Sequence, residues 1–152
     1  MYLALYLGLL DQAEQALADA FDQVGSAHGD EPDVEHTCKV LGDHARNHVK
    51  ALRPIVDRYG EQGDAEPERL AAAEFTGSRS GPVGLLRDLQ DLYALASFVD
   101  ITWTVVKQAA QGLRDDELLK LAGDREADTS RQLSWLQTRI KQAAPQALIV
   151  AS

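Results

Sequence analysis

The stretch Gly42–Val49, with the sequence GDHARNHV, decides how the rest of the chain is interpreted because it places two histidines four residues apart. In a helix, His44 and His48 share one face, and His48 points into the apolar stripe formed by the flanking residues. A histidine among apolar side chains needs a hydrogen-bonding group, a carboxylate or a metal ion as its partner. The stretch therefore predicts an amphipathic helix in a bundle whose other helices supply that partner.

Length and composition indicate a single all-α domain over residues 1–152. A chain of 152 residues is long enough to bury a core without disulfides or a structural metal. Alanine and leucine are abundant, and β-branched residues rarely occur in strings, which favours helix over strand.

Charge and cysteine usage narrow the class of protein further. The chain has 15 lysines and arginines and 24 aspartates and glutamates, which give a net charge of -9. This charge, without a basic stripe, argues against nucleic acid as a partner. The apolar start, Met1–Leu10, is too short to span a bilayer and lacks the basic flank of a signal peptide. Cys38 stands alone, so no intrachain disulfide can form. We expect a cytoplasmic protein with no membrane partner.

Apolar residues that recur with a period of 3.6 predict four long helices, over about 3–24, 34–59, 83–113 and 116–143. The segment 60–82 between the second and third helices is irregular and rich in glycine and proline, with a short helix predicted over Glu68–Phe75. This connection is too long for close antiparallel neighbours, and it fits a crossover along the length of a four-helix bundle. The apolar tail, Gln146–Ser152, is predicted to dock on the bundle or on a second subunit.

Acidic residues also lie within the predicted apolar stripes. Glu14 is central in the stripe of the first helix, and Glu126 is central in that of the fourth. The third helix offers Asp88 and Asp100, and only Asp100 is level with Glu126. Asp88 lies twelve residues further along, roughly 18 Å away at 1.5 Å per residue. Asp100 is therefore the predicted member of a shared polar layer.

Antiparallel pairing of the first two helices puts Glu14 level with the histidine pair. Because isolated buried carboxylates are costly, this convergence predicts a cation site, for which oxygen and imidazole ligands suit iron, manganese or zinc. The predicted ligands are Glu14, His44, His48, Asp100 and Glu126. Two alternatives stay open: His48 is satisfied by a carboxylate without any metal, and Asp100 is exposed at the helix edge.

Other polar residues are interpreted as structural or solvated. His28 and His36 are expected in solvent near the first connection, and Asp128 is expected on a solvated helix face together with Asp43, Asp91 and Asp124. Cys38 is expected to be a small buried apolar residue, and Trp103 is expected to pack in the core or at an interface.

Four short motifs resemble the helix signatures of ferritin-like proteins. They are AEQAL at Ala13–Leu17, NHV at Asn47–Val49, VDI at Val99–Ile101, and Glu126 placed seven residues before Leu133. The chain is most similar to a bacterial stress-associated ferritin-like family of unknown biochemical role, and the resemblance covers nearly its whole length. It implies a ferritin-like four-helix bundle with one long crossover, in which a dinuclear site takes a carboxylate from each of two helices and a Glu-x-x-His pair from each of the others.

The resemblance carries over incompletely to the ligand positions. Glu14, His48 and Glu126 match, and Asp100 matches in charge, but Ala45 and Thr129 stand where the pattern has a glutamate and a histidine. Each Glu-x-x-His pair is thus half lost. In compensation, His44 is available as a second imidazole for a single-metal site with His48, Glu14 and Glu126.

These observations lead to two hypotheses about function. The first is a non-catalytic ferritin-like bundle with a degenerate or remodelled metal site and a stress-related role, which acts as a homodimer or with another protein partner. The second is a metal-binding ferritin-like oxidase that handles iron or manganese. The cofactor is accordingly iron, manganese, zinc or none.

Overall fold

The computed structural model describes residues 2–60 and 75–151, and every regular element within those ranges is helical. The prediction of an all-α fold is therefore confirmed. The α-helices are α1 (Leu3–Ala27), α2 (Pro32–Tyr59), α3 (Gly81–Leu113), α4 (Asp116–Asp124) and α5 (Glu126–Pro145), and a π-helical turn follows at Gln146–Val150. None of the helices described has both the length and the apolarity needed to cross a membrane.

The helices pack as a bundle in which α1 lies against both α2 and α3. Contacts near both ends of α1, to Cys38 and Arg53 of α2, show that α1 and α2 are antiparallel. Contacts of α1 with Asp88 and Trp103 show the same for α3. Helices α2 and α3 consequently run in the same direction. Residues 61–74 lie outside the described part of the chain, so the crossover and the short helix over 68–75 stay predictions.

Glycine permits a close approach of α1 and α2 at two points. A Cβ at Gly25 would lie 3.1 Å from the Cβ of Cys38. A Cβ at Gly42, within the stretch that carries the histidine pair, would lie 3.3 Å from the Cβ of Phe21. Both distances are tighter than ordinary van der Waals contact. At Gly42 the backbone of α2 thereby lies close to α1, nearly two turns before His48.

Helix α3 contributes the central face of the core. The residues that recur along it with a period of 3.6 form an apolar stripe, and all eight are buried: Leu85, Leu89, Leu92, Ala96, Val99, Trp103, Val106 and Ala110. Helix α3 contacts α1 as well as α4 and α5, so it lies between α1 and the C-terminal helices. Cys38 is fully buried, as expected.

The predicted fourth helix is divided at Arg125 into α4 and α5, and its inward face differs from the prediction. The buried residues of this region are Leu118, Ala122, Arg125, Thr129, Gln132, Leu136 and Ala143. This face lies one residue away from the predicted stripe through Glu126 and Leu133. The reason is that Arg125, 4% exposed, takes an inward position with its guanidinium satisfied by hydrogen bonds. Glu126 is therefore turned outward.

The apolar tail continues from α5 as a π-helical turn, and the prediction that it docks on the bundle is confirmed in part. Ala147 is buried within the π-helical turn, which contacts α3 and α5. Leu148, Ile149 and Val150 are exposed. The turn therefore packs one small side chain against the bundle and leaves three large apolar side chains on the surface.

Candidate functional site

The centre of the bundle contains a buried pair of Glu14 and His48. Glu14 is 1% exposed and His48 is 5% exposed. The Nδ1 atom of His48 donates to Oε2 of Glu14 over 2.7 Å, because an ionised carboxylate can only accept. The predicted level of the two residues, and the prediction that a carboxylate would satisfy the core histidine, are confirmed.

Trp103 of α3 adds a third element to this pair. Its indole Nε1 donates to the same Glu14 oxygen over 3.3 Å, and its ring lies edge-on to His48 with 6.4 Å between centroids. Trp103 is fully buried, so it packs in the core as expected and is also a hydrogen-bond donor. The second carboxylate oxygen of Glu14, Oε1, is buried and has no hydrogen-bond partner among the described residues.

Asp128 of α5 completes a chain of hydrogen bonds across three helices. The Nε2 atom of His48 donates to Oδ2 of Asp128 over 3.0 Å, so a protonated ring bonds a carboxylate on each side. The side chain of Asp128 is 29% exposed, and the expectation that it lies on a fully solvated face is wrong. Burial lowers the pKa of His48, but the hydrogen bonds and charges of Glu14 and Asp128 outweigh this effect and raise the pKa above its usual value.

His44 lies at the solvent end of this chain, at the edge of the apolar stripe. Its Nδ1 atom is 3.8 Å from Oδ1 of Asp128, which is too long for a hydrogen bond. The Nδ1 atom is nevertheless buried and has no partner within the part of the chain that the structure describes. Both histidines of the opening stretch thus point towards one carboxylate of α5.

A buried arginine lies beside the Glu14–His48–Asp128 chain. The guanidinium of Arg125 donates from Nη1 to Oδ1 of Asp100 over 2.6 Å and lies 5.4 Å from the centre of the Trp103 ring. It also bonds Thr129 Oγ1 over 3.3 Å. Asp100 is half-exposed and pairs with Arg125, so the structure does not bring it to His48 as predicted. The arginine holds Asp100 at the helix edge, in agreement with the alternative interpretation.

The predicted central position of Glu126 is wrong. Its side chain is 51% exposed, and it accepts a hydrogen bond from Nζ of Lys107 over 2.6 Å. This lysine lowers the pKa of the Glu126 carboxyl below its usual value. The physical reason is the rotation of the inward face by one residue, which places Arg125 inside and Glu126 outside.

The arrangement of ligands differs from the predicted metal site. Of the five predicted residues, Glu14, His44 and His48 lie together, whereas Asp100 and Glu126 are held by cations elsewhere. Both ring nitrogens of His48 are already occupied by carboxylates. Over the described ranges, no three histidine, cysteine or acidic side chains are gathered as a ready metal site. The donors therefore do not fit a dinuclear site, and metal binding by any of them stays a prediction.

A second buried polar cluster lies towards the other end of the bundle. Asp88 is fully buried and accepts hydrogen bonds from His28 Nε2 over 2.8 Å, from the backbone N–H of Arg79 over 2.9 Å and from the Arg79 guanidinium over 2.8 Å. Asp91 shares the same guanidinium. The expectation that His28 is solvated is wrong, since it is 3% exposed. The cluster joins the end of α1 to the start of α3.

Comparison with known proteins adds no relative. No protein-family model matches the chain, and neither does any curated protein or any solved structure. The resemblance to ferritin-like proteins rests on the motifs of the sequence, and inference about function rests on the two polar clusters and the exposed surfaces.

Proposed function

We propose that the chain is a ferritin-like four-helix-bundle protein whose metal site has been remodelled into a polar core neutralised by its own side chains, and that it is non-catalytic. The observation that carries this proposal is the buried chain Glu14–His48–Asp128 beside the Arg125–Asp100 ion pair. A dinuclear site relies on metal ions to neutralise its inward carboxylates. Here the imidazole of His48 and the guanidinium of Arg125 neutralise the carboxylates instead.

The balance of charge supports this proposal. Three carboxylates, Glu14, Asp128 and Asp100, are hydrogen-bonded to the ring of His48 and the guanidinium of Arg125. A buried charge is tolerated when it is paired and hydrogen-bonded, and each of these carboxylates has a charged or ionisable donor. The core is thus balanced to within one charge without an added ion when His48 is protonated.

The two positions that depart from the ferritin-like pattern support the same proposal. Ala45 is fully buried and supplies no ligand atom. Thr129 is 3% exposed, and its hydroxyl donates to the backbone oxygen of Arg125 and accepts from the Arg125 guanidinium. The residue in place of a metal-binding histidine therefore supports an internal cation.

Iron chemistry tests the proposal. Protein purified without chelators is assayed for oxidation of Fe²⁺ by oxygen and by hydrogen peroxide. We expect oxidation at the rate of buffer alone. A rate above buffer that falls in Glu14→Gln but not in Glu126→Gln would overturn the non-catalytic assignment.

One observation favours the alternative, a ferritin-like oxidase that handles iron or manganese. Oε1 of Glu14 is buried without a hydrogen-bond partner among the described residues, and such an oxygen is a potential metal ligand. The same oxidation assay separates the two functions, because only the oxidase predicts turnover that depends on Glu14.

We propose that the partner is a second copy of the chain in the cytoplasm, as the sequence analysis expects. Large apolar side chains are exposed along α3 and at the start of α1, namely Ile101, Val105, Leu113 and Tyr2. Val105, Leu113 and Tyr2 line one apolar groove between these helices. A contiguous apolar surface of this kind is typical of a protein interface and supports a homodimer.

A further inference from the structure

The solvent end of the polar layer gathers three donor atoms that the hydrogen-bonded core does not fully use. His44 and His48 lie one turn apart on α2, and Asp128 faces both from α5. The Nε2 atom of His48 is 3.0 Å from Oδ2 of Asp128, and the Nδ1 atom of His44 is 3.8 Å from its Oδ1. Only the first of these contacts is a hydrogen bond.

The two separations between Asp128 and the histidines are close to those between ligand atoms around one tetrahedral metal ion. Zinc lies about 2.0–2.2 Å from imidazole nitrogens and carboxylate oxygens, so two ligand atoms around one ion are roughly 3.4 Å apart. The observed distances of 3.0 Å and 3.8 Å lie on either side of that value. We propose that His44 Nδ1, His48 Nε2 and Asp128 bind one divalent transition-metal ion of the zinc class.

Glu14 supports this site from the interior. By accepting the Nδ1 hydrogen of His48, Glu14 leaves Nε2 as the nitrogen that binds metal. Metal-ligating histidines commonly donate their other ring nitrogen to a carboxylate in this way, which fixes the ring and its tautomer. Trp103 donates to the same Glu14 oxygen and orients the carboxylate.

The unpartnered nitrogen of His44 is the second indication of a ligand. Its Nδ1 atom is buried and has no hydrogen-bond partner in residues 2–60 and 75–151. A buried nitrogen without a hydrogen-bond partner destabilises the folded protein, and a bound cation would remove this cost. The side chains of His44 and Asp128 are 22% and 29% exposed, so solvent reaches the site and water can fill the fourth position.

Binding requires a small local rearrangement. The metal ion replaces the hydrogen on Nε2 of His48, and that proton is released to solvent. Over the described ranges, no three histidine, cysteine or acidic side chains are already arranged to hold a metal ion. The Asp128 carboxylate must therefore turn towards His44 when the ion binds. Arg131, whose side chain is 69% exposed, lies 3.8 Å from Asp128 and moves aside at little cost.

This inference goes beyond the proposed function, because it concerns metal binding at the surface end of the layer and no chemistry of iron. The outcomes are separable. Oxidation of Fe²⁺ would contradict the proposed function and leave zinc binding standing. Absence of zinc binding would contradict this inference and leave the internally neutralised core standing.

Calorimetric titration of chelator-treated protein with Zn²⁺ tests the inference. We expect one ion per chain in the wild type and affinity at least about tenfold weaker in His44→Ala and in Asp128→Asn. Two matched controls bind like the wild type: His36→Ala removes an exposed histidine of the same helix, and Glu126→Gln removes an exposed carboxylate of α5. Circular dichroism shows that each variant is folded.

A second measurement keeps the test independent of heat effects. Co²⁺ replaces Zn²⁺ in tetrahedral sites, and its visible absorption reports nitrogen and oxygen ligands directly. We expect a tetrahedral spectrum in the wild type that disappears in His44→Ala. A wild type that takes up no stoichiometric Zn²⁺, or controls that lose as much affinity as the two site variants, would overturn the assignment.

Discussion

Replacing Glu14 by glutamine removes the buried charge at the centre of the polar layer and preserves the shape of the side chain. The carboxylate is 1% exposed and lies 2.7 Å from His48 Nδ1. Removing one partner of a buried ion pair costs about 3–5 kcal/mol, because the other charge is left without its partner. Asp128 still faces His48 in the variant, so we expect a loss of about 3 kcal/mol of unfolding free energy, the lower end of that range.

The same substitution changes how stability depends on pH. The pKa of His48 is raised in the folded protein, where the hydrogen bonds and charges of Glu14 and Asp128 outweigh the opposing effect of burial. Its contribution to stability is fully present below the unfolded pKa of about 6.5 and is lost as the pH rises through the folded pKa. Within that window the free energy of unfolding falls by at most about 1.4 kcal/mol per pH unit. Glu14→Gln is expected to flatten this slope.

Urea unfolding over a range of about pH 5 to pH 9, followed by the fluorescence of the two tryptophans, measures both effects in buffer with a chelator. Glu126→Gln is the matched control, since its carboxylate is 51% exposed and its ion pair is worth about 1 kcal/mol or less. The reasoning is refuted if Glu14→Gln loses no more stability than the control, or if its slope with pH equals that of the wild type.

Three further predictions concern other parts of the molecule. Burial, followed by two nearby aspartates, raises the pKa of the Cys38 thiol to about 12, so a disulfide reagent at neutral pH should react with it only after urea is added; rapid reaction of the folded protein would contradict this. Asp88→Ala should cost about 3–5 kcal/mol in urea unfolding because it leaves His28 and Arg79 without their shared carboxylate, whereas a loss under about 1 kcal/mol would contradict the role of that cluster. Val105→Asp should convert a dimer to a folded monomer in analytical ultracentrifugation, and an unchanged sedimentation coefficient would exclude the apolar groove as the interface.

Much of the fold follows from the apolar pattern, because strong periodicity identifies the inward face of a helix. The stripes of α1 and α3 are buried as predicted. The pair of Glu14 and His48 was also predictable, since both residues lie within apolar stripes and at one height in antiparallel helices. Their 34-residue separation does not matter to that argument, because α1 and α2 are joined by a short connection.

The inward face of α5 was not predictable from the same pattern. Its buried residues include Arg125, Thr129 and Gln132, which periodicity assigns to the surface because such residues are mostly exposed in proteins. Few apolar residues define the stripe, so the predicted face is shifted by one position. This shift places Glu126 inside in place of Arg125 and assigns Asp128 to the surface. The local signal of the actual face is the helical spacing of Leu118, Ala122 and Leu136, with Arg125 and Thr129 one turn apart between them.

The cluster of His28 and Asp88 was missed for a different reason. The two residues are 60 positions apart, and His28 lies just beyond the end of α1 among glycines and acidic residues that suggest solvent. The sequence places Asp88 about three helical turns from the predicted polar layer and indicates no partner for it there. Nothing in the local sequence indicates that the backbone and side chain of Arg79 would return to cover both groups.

The central claim is that this chain neutralises its buried carboxylates with its own cations, and the titration of His48 measures this most directly. Nitrogen-15 spectra of the His48 ring in metal-free protein follow its protonation as the pH is raised. We expect His48 to keep hydrogen on both ring nitrogens above the ordinary histidine pKa of about 6.5, and Glu14→Gln to remove most of this increase. A His48 ring that loses its proton at or below about pH 6.5 would contradict the claim.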